Sequence, residues 1–252
     1  LVPAGKKILV VNNGAYSARM VEIAKYYHIP CVDLKFPATG LPDLKVVKEA
    51  LASDRDIAVV ATTHHVTGTG VLNRVREIGK LAHDHGCIFI CDTISTYGLL
   101  PIDMEKENID FCMSSAQKGL AAMTGVSWTV GRIDEIVKSK EYPTRSYYCN
   151  LFMQYDFFER VGEMHFTPPV QTIYSLRQAI KEYWEEGEMA RWERITKCWD
   201  AIHKGMEEIG LACVWIIFVG WVFAANLLLA DKYREAGDAA GVPEGSTGFG
   251  NG

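Results

Sequence analysis

Through its first two-thirds the chain alternates short apolar runs with stretches that repeat at helical spacing, a pattern few folds accept. Ile8–Val11 reads as a buried strand and Asn12–Gly14 breaks it. From Ser17 to Tyr27 the apolar positions Met20, Val21, Ile23, Ala24 and Tyr27 predict one helical face. Cys31–Leu34 and Ile57–Ala61 are the next strands, and residues 73–85 predict a helix with Val75, Ile78, Leu81 and Ala82 inward. Cys87–Cys91 runs straight into Asp92, and Ile109–Met113 and Val126–Val130 complete the set. Strand–helix–strand repetition implies right-handed crossovers and an α/β fold, a mostly parallel central sheet flanked by helices.

Beyond about residue 150 the pattern turns helical. Thr167 followed by Pro168 and Pro169 predicts a helix start, with Thr167 as cap, running through Val170, Ile173, Leu176, Ile180 and Tyr183 to Gly187. A second long helix carries Met189, Trp192, Ile195, Trp199, Ile202, Met206 and Ile209, with Gly210 as its stop. The expected division is a large domain over 1–165 and, over 166–252, long helices leading into an incomplete C-terminal region. Leu211–Ala230 has 20 residues without a charge, enough to span a bilayer. Its Val, Ile, Trp and Phe content with Gly220 inside reads better as two buried strands, so a membrane anchor is not the expectation. Residues 240–252 are Gly-rich and read as disordered.

With 26 Lys+Arg against 31 Asp+Glu, the net charge of −5 offers no footprint for nucleic acid. Seven scattered cysteines without a CxxC pair read as buried thiols in a reducing cytoplasm. Cys87 and Cys91, four apart on one strand, point to the same face and read as core. The short apolar run after Lys6 and Lys7 ends at Asn12, unlike a secretory leader.

In a parallel sheet the ligand crevice lies at the carboxyl ends of the strands. Asp92 follows one strand directly and Lys118 follows the next after a short connection, 26 residues on. Neighbouring strands can present both to one pocket. A lysine and an aspartate opposed across such a pocket suit pyridoxal phosphate: the amine condenses with the aldehyde, and the carboxylate keeps the ring nitrogen protonated. At ~4 Å and an effective dielectric near 20, that last ion pair is worth about 4 kcal/mol before desolvation. Spacing alone equally allows Asp92 as a helix cap and Lys118 as a solvated surface residue. His64 and His65, with His83 and His85, have no partner at metal-ligand spacing, so they read as structural or solvent-facing and no metal site is expected.

The segments FICDTISTYGLLPID (89–103) and IDFCMSSAQKGL (109–120) resemble the aspartate and lysine segments of class V, fold type I pyridoxal-phosphate aminotransferases. NNGAYSARMVEIAKYY (12–27) and RSYYCNLFMQYDFFERVGEMHFTPPVQTIYSLRQAI (145–180) resemble the branch of that family that uses 2-aminoethylphosphonate and pyruvate. The resemblance spans roughly residues 6 to 212. It implies Lys118 as the lysine that bonds the cofactor and moves the proton, and Asp92 as the ring-nitrogen partner. It also implies Tyr16 stacked on one ring face with Ile94 on the other, Thr67 near the ring oxygen and Gln117 close to the phosphate. Thr167 would reach the phosphate of a neighbouring subunit, which implies a homodimer taking an amino donor and a 2-oxo acid.

Three departures from the family pattern stand out. The family's phosphate cradle precedes the strand that starts here at Lys7, and residues 1–6 hold no match. From 213 onward nothing matches the small domain's substrate-gripping arginine, and Arg234 lies in no motif. Val66 and Gly68 stand where the family has a glutamate and a hydroxyl residue. Two function classes follow: an aminotransferase, of this branch or of an alanine–glyoxylate or serine–pyruvate type, and a non-catalytic chain that folds but holds cofactor poorly.

Overall fold

Ile57–Thr63 is apolar or hydroxylated throughout and nearly all buried, as a strand covered on both faces must be. In the computed structural model, which describes residues 1–209, it lies at the centre of a six-stranded sheet. Strand β1 (Lys7–Asn12) is followed by α1 (Ala15–Tyr26), β2 (Cys31–Lys35), α2 (Leu44–Ser53) and β3 (Ile57–Thr63). A two-stranded hairpin of β4 (His65–Val66) and β5 (Val71–Leu72) leads to α3 (Val75–Asp84), β6 (Ile88–Asp92), β7 (Phe111–Ser115) and β8 (Ser127–Gly131). The sheet order is β2-β1-β3-β6-β7-β8, parallel throughout except that β8 runs antiparallel to β7. Then come α4 (Ile133–Lys138), a short 3-10 turn, α5 (Leu151–Val161), α6 (Val170–Glu186) and α7 (Glu188–Glu208). Leu1–Trp192 is one compact unit, and a second begins at Glu193.

A continuous core joins Leu9 and Val11 of β1, Val60 of β3 and Phe89 and Cys91 of β6 to Val47 and Leu51 of α2 and Val75, Ile78 and Ala82 of α3. Cys87, Cys91 and Cys112 are core residues, as the strand pattern predicts for the first two. Cys149, by contrast, is exposed, so the expectation of buried thiols does not extend to it.

Two helix details differ from the sequence expectation. In α1 the buried stripe is Ser17, Val21 and Ala24, and Ile23 is 50% exposed. At about 100° per residue, Ile23 lies roughly 120° from the middle of that stripe. Helix α6 begins at Val170 with Pro169 as its cap residue and no side-chain cap bond, so Thr167 does not cap it. Thr167 is exposed, in an irregular segment two residues earlier. Gly187, at φ +83°, ends α6 as expected. The apolar stretch 211–230, the stop at Gly210, Arg234 and the Gly-rich tail lie outside the described residues. Among the described residues no helix is long and apolar enough to cross a membrane.

Candidate active site

Two crossovers leave β1 and β3 in opposite directions along the sheet, which makes their carboxyl ends the topological switch point where α/β sheets bind ligands. Four connections converge on this edge. After β1, Asn12 to Gly14 lead into the first turn of α1. Ser17 Oγ, in the first turn, accepts the backbone N–H groups of Asn13 (3.2 Å) and Gly14 (3.1 Å), the return half of a capping box. The buried side chains of Asn13 and Asn73 exchange two hydrogen bonds, of 2.7 and 3.0 Å, and Asn73 also donates to the Thr63 carbonyl. That pairing ties the end of β1 to the end of β3. A Cβ on Gly14 would stand 2.6 Å from Val66 Cγ1, so the start of α1 packs tightly on the β4 hairpin. This holds Tyr16, on the first turn, beside the connection that carries Thr67. Tyr16 is 37% exposed, and the Arg19 guanidinium sits 5.0 Å from its ring centre, covering one face. Thr67 is partly buried.

Asp92 closes β6, in register with Thr63 of β3 and Met113 of β7. Its Oδ1 accepts the N–H of Ile94 at 2.9 Å, and it has no cationic partner among the described residues. Burial raises its pKa, the Ile94 hydrogen bond pulling the other way. Beside it, Thr63 Oγ1 is buried with no hydrogen-bond partner. The turn after Asp92 is fixed from both sides. Thr93 Oγ1 donates to the Met113 carbonyl at 2.9 Å. His64 Nδ1 lies 3.0 Å from Thr96 Oγ1 and His65 Nδ1 lies 3.3 Å from Ser95 Oγ. Burial drives both imidazoles down to about 4, so both are neutral at pH 7. These two histidines are what sequence reasoning undervalued. They are structural, as expected, but the structure they hold is the turn that carries Asp92 and Ile94.

Lys118 lies three residues beyond the end of β7. Its segment folds back through hydrogen bonds from Ala121 N–H to the Lys118 carbonyl (2.8 Å) and from Ala122 N–H to the Ala116 carbonyl (2.9 Å). Gly119 packs directly on the Tyr97 carbonyl oxygen, and a Cβ on Gly98 would lie 2.9 Å from Leu120 Cδ2. The turn after Asp92 and the turn after Lys118 are therefore in backbone contact. The Lys118 ammonium makes no ion pair or hydrogen bond among the described residues, with Asp92 or any other group. Ile94, Gln117 and Lys118 are partly buried, whereas exposed Thr167 lies on the segment before α6, away from these turns in the chain.

Among the described residues, the edge thus offers a partly buried carboxylate that lacks a counter-ion, an unpaired buried hydroxyl and an unpaired lysine amine. That set is complementary to a flat ligand bearing a ring N–H cation and an aldehyde, and so fits the ring and aldehyde of pyridoxal phosphate.

Known proteins resemble this chain in sequence and in fold. The family model described as aminotransferase class-V matches residues 2–215. The 2-aminoethylphosphonate–pyruvate transaminase of Vibrio cholerae is 35% identical over 208 residues, covering 82% of this chain and 56% of that relative. Its namesake from Bacteroides fragilis is 34% identical over 206 residues, covering 81% and 57%. Among solved structures, an alanine–glyoxylate aminotransferase from Nostoc sp. superposes with a TM-score of 0.78 at 26% identity, over 84% of this chain and 56% of that one. A pyridoxamine–pyruvate aminotransferase from Mesorhizobium loti gives 0.76 at 25% identity, over 85% and 55%. The chain spans little more than half the length of the relatives it matches.

Proposed function

The chain belongs to the class-V aminotransferases, and from that membership we propose that it binds pyridoxal phosphate at this edge and serves transamination between 2-aminoethylphosphonate and pyruvate. The observation that carries the proposal is the carboxylate of Asp92, partly buried at the end of β6, next to the turn that bears Lys118, with neither side chain ion-paired among the described residues. The substrate pair rests on the names of the relatives, which print it for themselves.

When bound, the cofactor supplies an electron sink for the bond at the amino-bearing carbon of the substrate. The residues of this chain do the rest. Lys118 would hold the cofactor through its amine, and the same amine would move the proton at the amino-bearing carbon of the substrate. Asp92 would keep the ring nitrogen protonated by pairing with the cation there, which would offset the desolvation that raises its own pKa. Tyr16 offers its ring face at one side of the pocket and Ile94 an apolar surface at the other. Thr67 and Gln117 supply hydrogen bonds at the rim. Exposed Thr167 is free to face a second copy of the chain, in a homodimer whose sites are shared.

Titration of the 252-residue chain with pyridoxal phosphate tests the reading. Saturable growth of a visible absorbance band, lost in Lys118→Ala, is the expected result. Absence of saturable binding would identify a folded chain without catalytic function. The Nostoc neighbour motivates the rival substrate pair, and faster turnover of alanine with glyoxylate than of 2-aminoethylphosphonate with pyruvate would overturn the phosphonate assignment.

A further inference from the structure

Arg191, on the first turn of α7, is 6% exposed, and a guanidinium is not withdrawn from water without compensation. Its Nη1 donates to Glu186 at 3.2 Å, and its guanidinium lies 5.4 Å from the centre of the Tyr183 ring. These contacts account for the charge. They leave unexplained where the side chain points. Nη2 donates to the carbonyl oxygen of Gly119 at 2.6 Å, a short charge-assisted bond to the residue that follows Lys118.

The turn that receives this bond needs support. Ala121 sits at φ +55°, in the left-handed region that a residue with a Cβ seldom occupies. Gly119 is wedged against the Tyr97 carbonyl and its Cβ position lies 2.8 Å from Leu99 Cγ. Farther along, Met123 N–H donates to Ser175 Oγ at 3.0 Å and Thr172 Oγ1 donates to the Thr124 carbonyl at 3.3 Å. Helix α6 therefore secures the far end of the connection, and Arg191 secures the end that carries the lysine.

We propose that Arg191 is a positioning residue for Lys118: its hydrogen bond to the Gly119 carbonyl holds the left-handed turn in the form that aims the amine at the cofactor aldehyde. The inference rests on the reading of Lys118 as the cofactor lysine. It distinguishes two ligands that differ at one atom. Pyridoxal phosphate condenses with the lysine amine, forming a C=N bond and releasing water. Pyridoxamine phosphate carries an amine in place of the aldehyde and cannot condense.

The test compares the dissociation constants of both ligands, measured by tryptophan fluorescence, for the wild-type chain, Arg191→Met and Arg191→Lys. Arg191→Met should weaken pyridoxal phosphate by roughly tenfold or more, as for loss of a hydrogen bond to a charged group, while pyridoxamine phosphate stays within about twofold. Arg191→Lys retains the charge opposite Glu186, so it guards against a variant that fails to fold, and it should recover part of the loss. Equal weakening of both ligands would make Arg191 a residue that merely holds the fold, and an unchanged pyridoxal phosphate constant in both variants would remove its role; either overturns the proposal. A wild-type chain that binds neither ligand would instead bring down the cofactor reading beneath it.

Discussion

Acidification from pH 7 to 5 should weaken this fold before its carboxylates are titrated, and His64 supplies the reason. Its side chain is buried at 7% exposure against Thr96. Thr96 Oγ1 also reaches the Thr93 carbonyl at 3.3 Å as a donor, which leaves the imidazole to donate from Nδ1. Burial, and then the neighbouring His65, lower its pKa from 6.5 to about 4. A base depressed in the folded state is held there in its neutral form. The stabilisation is complete above the unfolded value, declines as pH falls through the window, and is spent near the folded value. One pKa unit corresponds to about 1.36 kcal/mol, so the whole window is worth about 3 kcal/mol and the stretch from pH 7 to 5 about 2 kcal/mol. Asp92 acts in the opposite sense, since a carboxyl with a raised pKa is relieved by acid. Urea unfolding at pH 7, 6 and 5 should therefore be run on the wild type beside His64→Asn, whose amide donates to Thr96 and does not titrate. The wild type should lose about 2 kcal/mol more than the variant between pH 7 and 5. Parallel losses in the two proteins would refute the argument.

Two further outcomes follow from the same edge of the sheet. Asp92→Asn removes a carboxylate that burial disfavours, so the cofactor-free chain should melt at the same temperature or higher while saturable uptake of pyridoxal phosphate weakens at least about tenfold; a lower melting temperature with intact uptake would contradict both halves. Gly119→Ala places a methyl group on the Tyr97 carbonyl and beside Leu99, an overpacking expected to cost about 1–3 kcal/mol in urea unfolding. A neutral result there would mean that the two turns are not in contact.

The central parallel strands were legible because a strand buried on both faces must be a continuous apolar run, and β1, β3 and β6 appear within two residues of where those runs lie; the edge strand β2, partly exposed and carrying Asp33, was legible from Cys31, Val32 and Leu34. Strand direction was not, since Val126–Val130 reads the same whether β8 runs with or against β7. Helix α2 had a readable signal in Asp43, whose carboxylate accepts the Lys45 N–H, followed by Leu44, Val47 and Leu51 on one face. Helix α5 had its signals at the ends, in Asn150, whose side chain accepts the Met153 N–H, and in Gly162 at φ +76°; it buries no residue among those described, so its apolar positions mark no core face. Within the site, Asp92 stood out locally as a charge directly after a buried strand. The contacts that tie the turns of this edge together come from far away in the chain. Asn13 and Asn73 are 60 residues apart, His64 and Thr96 are 32, and Gly119 and Arg191 are 72. Periodicity reports which face is buried but carries no record of which distant hydroxyl or carbonyl a polar side chain will meet.

The departure at Val66 is a case where the local reading needed the fold to interpret it. A glutamate at this position would be a charge at a site that is 5% exposed and pressed against Gly14, and an uncompensated buried carboxylate is strongly disfavoured. Valine replaces that charge with an apolar contact between the β4 hairpin and the first turn of α1, the turn that carries Tyr16. Gly68, the second departure, is exposed and a Cβ there would meet nothing within 4 Å, so the missing hydroxyl costs no packing. Both changes spare the fold. Their effect falls on the charge of the pocket wall: with Val66 apolar and both imidazoles neutral, Asp92 carries the negative charge of this turn without another carboxylate beside it, which favours a cationic ring nitrogen as its partner.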